Sequence, residues 1–222
     1  MSTLLTINVK NKQADNRTFY FFQEPAIYKG SSTVYTNSLY SRTVGNLQQT
    51  GGIGTFRVDL QYYAGIQEAH GDPVVGSDSG YLSAAQPIDL TPASGSAANF
   101  TQAMVDPIVG LSPAQTLAGV EAGAFRIGVP PCSADVTYNI GSAVSVDGGI
   151  ILSNFVKAQP GTDTDCQPVL KFYVGTGAYT PGTTMNFDQV TTKSALCDFT
   201  GGIEVIDVTL NPDGTWQVDT IR

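Results

Sequence analysis

Apolar and polar residues alternate along much of this chain. Leu5, Ile7 and Val9 alternate with polar neighbours, and a period of two places one face of a strand on a core. The aromatic run from Phe19 to Phe22 favours a strand that is buried on both faces. These patterns predict a chain built mainly from β-sheet.

Further strands are predicted where β-branched and aromatic residues cluster between glycine, proline and aspartate. They cover residues 17–23, 33–44, 55–66, 124–129, 134–146, 149–158 and 168–175. Near the end of the chain, Asn211-Pro212-Asp213-Gly214 separates two alternating segments, 204–210 and 215–221. Because the proline presets φ and the glycine accepts a left-handed conformation, this motif predicts a β-hairpin.

One short helix is predicted near residues 112–121. Ser112 offers a hydroxyl cap, Pro113 occupies the first helical position and Gln115 follows the cap by three residues, which is the pattern of a helix start. The expected fold class is therefore all-β, with antiparallel sandwich or barrel-like layers and this one helix. Weak similarity between residues 98–102 and 185–189 suggests two similar halves. The chain is then either one unit, 1–222, or two parts, 1–104 and 124–222, joined by the helical connection.

Composition and charge narrow the classes of partner. Charged residues make up only 14% of the chain, and 24 glycines and 12 prolines suit many short strands joined by tight turns. Acidic residues outnumber basic ones by 19 to 11, so the molecular field repels phosphate backbones and argues against nucleic acid as a partner. No apolar run approaches the ~20 residues that span a bilayer, so no integral membrane segment is expected. Without a visible signal peptide the expected location is cytoplasmic, with export by another route left open.

The sequence contains few residues that could carry familiar catalytic or metal chemistry. His70 is the single histidine, so zinc sites built on two or three imidazoles are ruled out. Gly76-Ser77-Asp78-Ser79-Gly80 places a serine near His70, but both would lie in one loop without an orienting scaffold, and a solvated loop is the better interpretation. Asp163-Thr164-Asp165 provides fewer oxygens than calcium requires. We therefore expect neither a metal nor a cofactor.

Tyrosines provide the remaining signal. Tyr28, Tyr35, Tyr40 and Tyr62 are interleaved with serine, threonine and asparagine, and a flat apolar ring with a polar tip is common at binding surfaces. The plainer interpretation is a half-buried strand face, since strands favour tyrosine anyway. The leading functional hypothesis is a lectin-like protein that binds a carbohydrate or small organic ligand through these tyrosines, without its own nucleophile, metal or redox cofactor.

Two other hypotheses stay open. One is a cofactor-free cyclase or isomerase that acts on an apolar molecule in a β-walled pocket, with Asp59, His70 and Tyr63 as candidate catalytic residues. Asp59 lies between Val58 and Leu60 and therefore points away from their face. The other is a structural protein that forms a homo-oligomer through an exposed sheet edge.

Overall fold

The strand content of the protein follows the alternating sequence pattern. This computed structural model describes residues 3–30, 33–69, 71–92, 97–132 and 137–221, without the side chains of residues 82 and 83. Strands make up 55% of the structure and helices 4%, which confirms the predicted all-β class. The strands form two sheets, of which the larger closes into a nearly complete barrel.

The described residues contain seventeen strands and two short helices. The strands are β1 (Leu4–Asn11), β2 (Arg17–Gln23), β3 (Ile27–Lys29), β4 (Tyr35–Val44), β5 (Ile53–Ala69), β6 (Gly80–Pro87), β7 (Phe100–Met104), β8 (Gly110–Leu111), β9 (Phe125–Gly128), β10 (Tyr138–Val146), β11 (Gly149–Lys157), β12 (Asp163–Gln167), β13 (Lys171–Thr176), β14 (Thr184–Met185), β15 (Ala195–Asp198), β16 (Val205–Leu210) and β17 (Trp216–Ile221). The helices are α1 (Leu47–Thr50) and α2 (Phe187–Thr191).

The larger sheet runs in the order β15-β13-β2-β4-β11-β10-β5-β1-β16-β17, with β14 paired to β4 and β6 paired to β5 outside this path. Strand β1 pairs in parallel with β16 and antiparallel with β5. The two ends of the sheet, β15 and β17, approach each other without ladder pairing. The barrel therefore has one open seam between these two strands.

A first core fills the barrel, with side chains from eight of its strands. Phe21 and Phe56 stack at its centre with ring centroids 4.4 Å apart, and Phe172 packs against Phe56 at 6.3 Å. All three rings are at most 1% exposed. Each such ring contributes about 1.5–3 kcal/mol relative to an exposed position.

A second core lies where the smaller sheet, in the order β3-β12-β9-β7-β8, covers the far end of the long strand β5. Alternate residues of a strand share one face. On β5 that face carries Phe56 and Val58 in the first core and Ala64 and Ile66 in the second. The large sheet is thus one wall of both cores, and the smaller sheet is the opposite wall of the second.

The predicted helix near residues 112–121 is wrong: this segment, which is fully described, is extended and then turns. Backbone hydrogen bonds in both directions join Phe100 to Gln115, at 2.9 and 2.8 Å. The Ser112 hydroxyl accepts from the Gln102 backbone nitrogen at 2.9 Å instead of capping a helix. Pairing with β7 therefore outweighs the local helix signal. The division of the chain at residues 104 and 124 stays a prediction.

Candidate ligand-binding cleft

The largest of the clefts described here lies at one edge of the smaller sheet and has a volume of about 1000 Å³. Strands β7 and β9 run parallel, so the segments that follow them leave the sheet at the same edge. We call the space between these segments the proline cleft. It is lined by residues 102–108, 130–132 and 138.

Three prolines shape the walls of the proline cleft. Pro130 and Pro131 follow β9, and Pro107 lies in the segment between β7 and β8. Because proline has no backbone N–H to donate to a ladder, strands end at such positions and the chain stays irregular. Two apolar side chains are exposed here: Ile108, in the irregular segment, is 74% exposed, and Met104, the last residue of β7, is 44% exposed.

Tyr138 provides a buried wall of the cleft with a polar group at its tip. The residue is only 8% exposed, and its hydroxyl lies 3.5 Å from the Val105 carbonyl oxygen. A distance of 3.5 Å is at the outer limit of a hydrogen bond. The Tyr138 hydroxyl therefore retains most of its capacity to donate to a ligand.

Two carboxylates, those of Glu68 and Asp106, lie near Tyr138. Burial, followed by the nearby Glu68, Cys132 and Asp106, raises the pKa of Tyr138 above its usual value of about 10. The hydroxyl consequently stays protonated at neutral pH and acts as a donor. Carboxylates near the same point make the site unfavourable for an anion and favourable for a neutral or cationic group.

Cys132 places a thiol in the wall of the proline cleft. All three cysteines are described: Cys132 is partly exposed, whereas Cys166 and Cys197 are buried. Burial raises the pKa of both buried thiols far above the usual range, so neither forms a thiolate at neutral pH. Cys132 is thus the most accessible of the three thiols.

Tyr28, predicted as a ligand-binding residue, lies inside the second core. Its hydroxyl is 2.7 Å from the Asn154 carbonyl oxygen and accepts from the Ser142 backbone nitrogen at 3.1 Å. Burial raises the pKa of Tyr28 well above its usual value. The hydroxyl is thus bonded within the fold and is not available to a ligand.

The other predicted tyrosines do not form one surface. Tyr35 and Tyr63 pack together around the buried Phe155, and the rings of Tyr35 and Phe155 are stacked at 5.4 Å. Tyr40 packs on the first core, and Tyr62 packs on the second. Neighbouring strand residues point to opposite faces, which is why Tyr62 and Tyr63 separate. None of these four side chains lines the proline cleft.

Of the predicted catalytic residues, Asp59 and Tyr63 line none of the five clefts found among the described residues. Asp59 is half-buried on the face of β5 opposite the core, where its carboxylate accepts from the Ser145 hydroxyl at 3.4 Å. Tyr63 lies on the same face, four residues further along the strand. His70 lies outside the described residues. The cyclase or isomerase hypothesis and the homo-oligomer hypothesis both stay predictions.

The acidic segment 163–165, considered above for calcium, is strand β12 and not a loop. Arg126 makes a two-pronged ion pair with Asp165, with one contact at 2.9 Å, and lies 3.8 Å from the Asp163 carboxylate. The oxygens therefore face a guanidinium. Across the described ranges, no three histidine, cysteine, aspartate or glutamate side chains are grouped so that they could hold a metal ion.

Sequence reasoning missed the residues that line the proline cleft. The one available signal was the occurrence of Ile108 and Cys132 directly after prolines, in segments that cannot extend a ladder. Nothing in the spacing indicated that these segments meet.

In the described part of the chain, no helix is both long and apolar enough to cross a membrane. No family model, curated protein or solved structure matches the chain.

Proposed function

We propose that this protein binds a small, mainly apolar organic molecule, neutral or cationic, in the proline cleft. The observation that carries the proposal is the combination of exposed apolar side chains with a tyrosine hydroxyl whose one hydrogen-bond contact among the described residues is 3.5 Å long. Ligand sites are mostly apolar concavities of about 300–1000 Å³ with a few polar groups that fix orientation. The proline cleft fits this description in size and in lining.

The apolar residues supply the affinity in this proposal. Covering Ile108 and Met104 removes apolar surface from water, which contributes about 1–2 kcal/mol for each partly exposed side chain. Without a ligand, the Ile108 side chain, which is 74% exposed, contributes little to the stability of the fold. A ligand in the cleft would bury both side chains and the ring edge of Tyr138.

The polar residues supply the selectivity. The protonated Tyr138 hydroxyl selects a molecule with a hydrogen-bond acceptor, such as a carbonyl or ether oxygen. Asp106 lines the cleft, and its charge together with that of Glu68 opposes anionic molecules. The proposed ligand is therefore an apolar molecule with one acceptor and no negative charge.

The test uses the neutral fluorescent probe N-phenyl-1-naphthylamine, whose emission rises in an apolar site. We expect saturable binding that is weakened by roughly tenfold in Ile108→Asp, because this change places a charge in the cleft. The matched control is Val75→Asp, which introduces the same charge at an apolar residue that is 53% exposed outside the cleft, and it should bind as the unchanged protein does. Equal binding by both variants would refute the proposal.

A second readout uses the accessible thiol. A chromogenic disulfide reagent should react with one cysteine of the folded protein, and Cys132→Ser should abolish this reaction. Saturating probe should slow the reaction by several-fold, because the bound molecule would cover Cys132. Reaction at an unchanged rate in the presence of bound probe would place the probe elsewhere and would count against the proline cleft.

A further inference from the structure

A second cleft, of about 500 Å³, lies at one end of the barrel beside the open seam. We call it the tryptophan cleft. Its lining comes from the turn after β1, the start of β2, the end of β13, the residues after α2 and the β16–β17 hairpin. The residues are Gln13, Arg17, Thr176, Thr192, Lys193, Leu210, Gly214 and Trp216.

Trp216, the single tryptophan of the chain, is held in a fixed orientation in this cleft. Its indole N–H donates to the Lys193 carbonyl oxygen at 3.1 Å. Its ring meets Phe19 edge to face, with centroids 6.1 Å apart. The indole therefore ties the hairpin to the segment after α2 and presents a rigid, partly exposed aromatic surface.

The tryptophan cleft has a positive charge although the protein carries a net charge of −8. Arg17 and Lys193 both line it, and no carboxylate of the described residues does. Among the described residues neither cation takes part in an ion pair. Asp213, adjacent in sequence to the lining, accepts from the backbone nitrogen and the hydroxyl of Thr215 at 3.0 and 2.7 Å and so is engaged within its own turn.

Neutral polar groups surround the two cations. The Gln13 side chain accepts from Arg17 Nε at 2.9 Å and donates to the Asn211 carbonyl oxygen at 3.3 Å. This bond orients the guanidinium, whose terminal nitrogens have no described partner within the turn. Thr176 and Thr192 add hydroxyls to the lining, and the Thr192 hydroxyl donates to the Gln189 carbonyl oxygen at 2.9 Å, which leaves its oxygen free to accept. The cleft thus combines an aromatic surface, two cations and several hydrogen-bonding groups.

We propose that the tryptophan cleft binds an acidic sugar, a pyranose that carries a carboxylate. The apolar C–H face of a pyranose packs on a flat indole, its hydroxyls exchange hydrogen bonds with amide and threonine groups, and its carboxylate pairs with the guanidinium and the ammonium group. A neutral sugar lacks the third contact. This inference is independent of the proposed function, because the two clefts share no residue and differ in sign of charge.

Trp216 allows the proposal to be tested without a label, because all indole emission comes from this site. Sodium glucuronate is titrated at low ionic strength, with glucose and sodium acetate in parallel and sodium chloride added to match the ions. We expect a saturable change in emission with glucuronate that glucose and acetate do not reproduce at the same concentration. Because Arg17 and Lys193 are exposed, added salt should weaken binding by several-fold.

Three single variants locate the binding. Arg17→Gln and Lys193→Gln should each weaken glucuronate binding by roughly tenfold, the value of one charge-assisted contact. Arg57→Gln, which removes an exposed cation from β5 outside the cleft, should leave it unchanged, and so should Ile108→Asp. Circular dichroism checks that each variant is folded.

Several results would overturn the proposal. One is an equal response to glucose and glucuronate, because the carboxylate would then have no role. Another is a dissociation constant that is the same in Arg17→Gln, Lys193→Gln and the unchanged protein. The absence of both an emission change and a calorimetric heat with glucuronate would also overturn it.

Discussion

Replacing Tyr28 by phenylalanine tests the account of the second core most directly. The ring of Tyr28 packs in that core, and phenylalanine keeps the ring and removes only the hydroxyl. This hydroxyl lies where the pairing of β10 with β11 shifts register after Ser142. It accepts from the Ser142 nitrogen at 3.1 Å and lies 2.7 Å from the Asn154 carbonyl oxygen.

The expected cost follows from the groups left without partners. Ser142 and Asn154 are at most 1% exposed, so water cannot replace the missing hydroxyl. One lost hydrogen bond costs about 0.5–1.5 kcal/mol, and a buried donor left unsatisfied costs about 1–3 kcal/mol. We therefore expect Tyr28→Phe to lower the free energy of unfolding by about 2–4 kcal/mol. For a protein of this size the melting temperature should fall by roughly 4–16 °C.

The assay is urea unfolding, followed by far-ultraviolet circular dichroism and by the emission of Trp216. Tyr35→Phe is the matched control, because Tyr35 is half-buried against Phe155 and its hydroxyl makes no described hydrogen bond. This control should change the free energy of unfolding by less than about 0.5 kcal/mol. If Tyr28→Phe costs no more than Tyr35→Phe, the Tyr28 hydroxyl does not stabilise the register shift and the reasoning fails.

Two further predictions concern a crowded glycine and alkaline pH. In Gly141→Ala the new methyl carbon would lie 2.3 Å from the Asn154 carbonyl oxygen, a backbone atom that cannot move aside. We therefore expect loss of folded protein in expression and circular dichroism measurements. Normal folding of this variant would contradict the geometry. Burial and the hydrogen bond to Glu24 raise the pKa of Tyr173 to about 12, so the folded protein keeps a proton that the unfolded chain releases above about pH 10. The stabilisation by protonated Tyr173 is therefore complete below pH 10 and is lost as the pH rises from 10 to 12. In Tyr173→Phe the free energy of unfolding, measured with urea, should fall less steeply between these pH values. An unchanged slope would contradict the prediction.

Local alternation predicted much of the larger sheet. The first strand, with Leu5, Ile7 and Val9 directed to the core, is confirmed, and so is the predicted strand at residues 17–23. The hairpin at residues 204–221 is also confirmed: Gly214 has φ +86° and donates to the Asn211 carbonyl oxygen at 3.0 Å. These elements could be predicted because side-chain direction and turn conformation depend on residues that are close in sequence.

The smaller sheet could not be predicted in this way, because its strands depend on their neighbours. Asp163-Thr164-Asp165 has the polar composition of a turn, yet it forms β12 between β9 and β3. Its charge is accommodated by the ion pair of Asp165 with Arg126 on the adjacent strand. Similarly, the cap signal at Ser112 is local, whereas the pairing of its segment with β7 is not. Tertiary pairing decides such segments.

The candidate site could not be predicted from the sequence for a related reason. Tyr28, Tyr35, Tyr40 and Tyr62 are close in sequence, but alternation and strand crossing distribute them over both cores and a third cluster. The proline cleft, in contrast, joins segments 102–108, 130–132 and 138, which meet because β7 and β9 are parallel and end at the same edge. A density of one residue type along the chain therefore did not identify a surface, whereas the topology did.

The two clefts differ in local charge, and the net charge of −8 does not indicate this difference. Tyr138 in the proline cleft has carboxylates nearby, whereas the tryptophan cleft is lined by two cations that form no ion pair with the described residues. The field of an acidic protein attracts a cation and does not oppose a neutral ligand, but an anion must find a local reversal of the field. This is why we assign the tryptophan cleft to an anionic ligand and the proline cleft to one without negative charge.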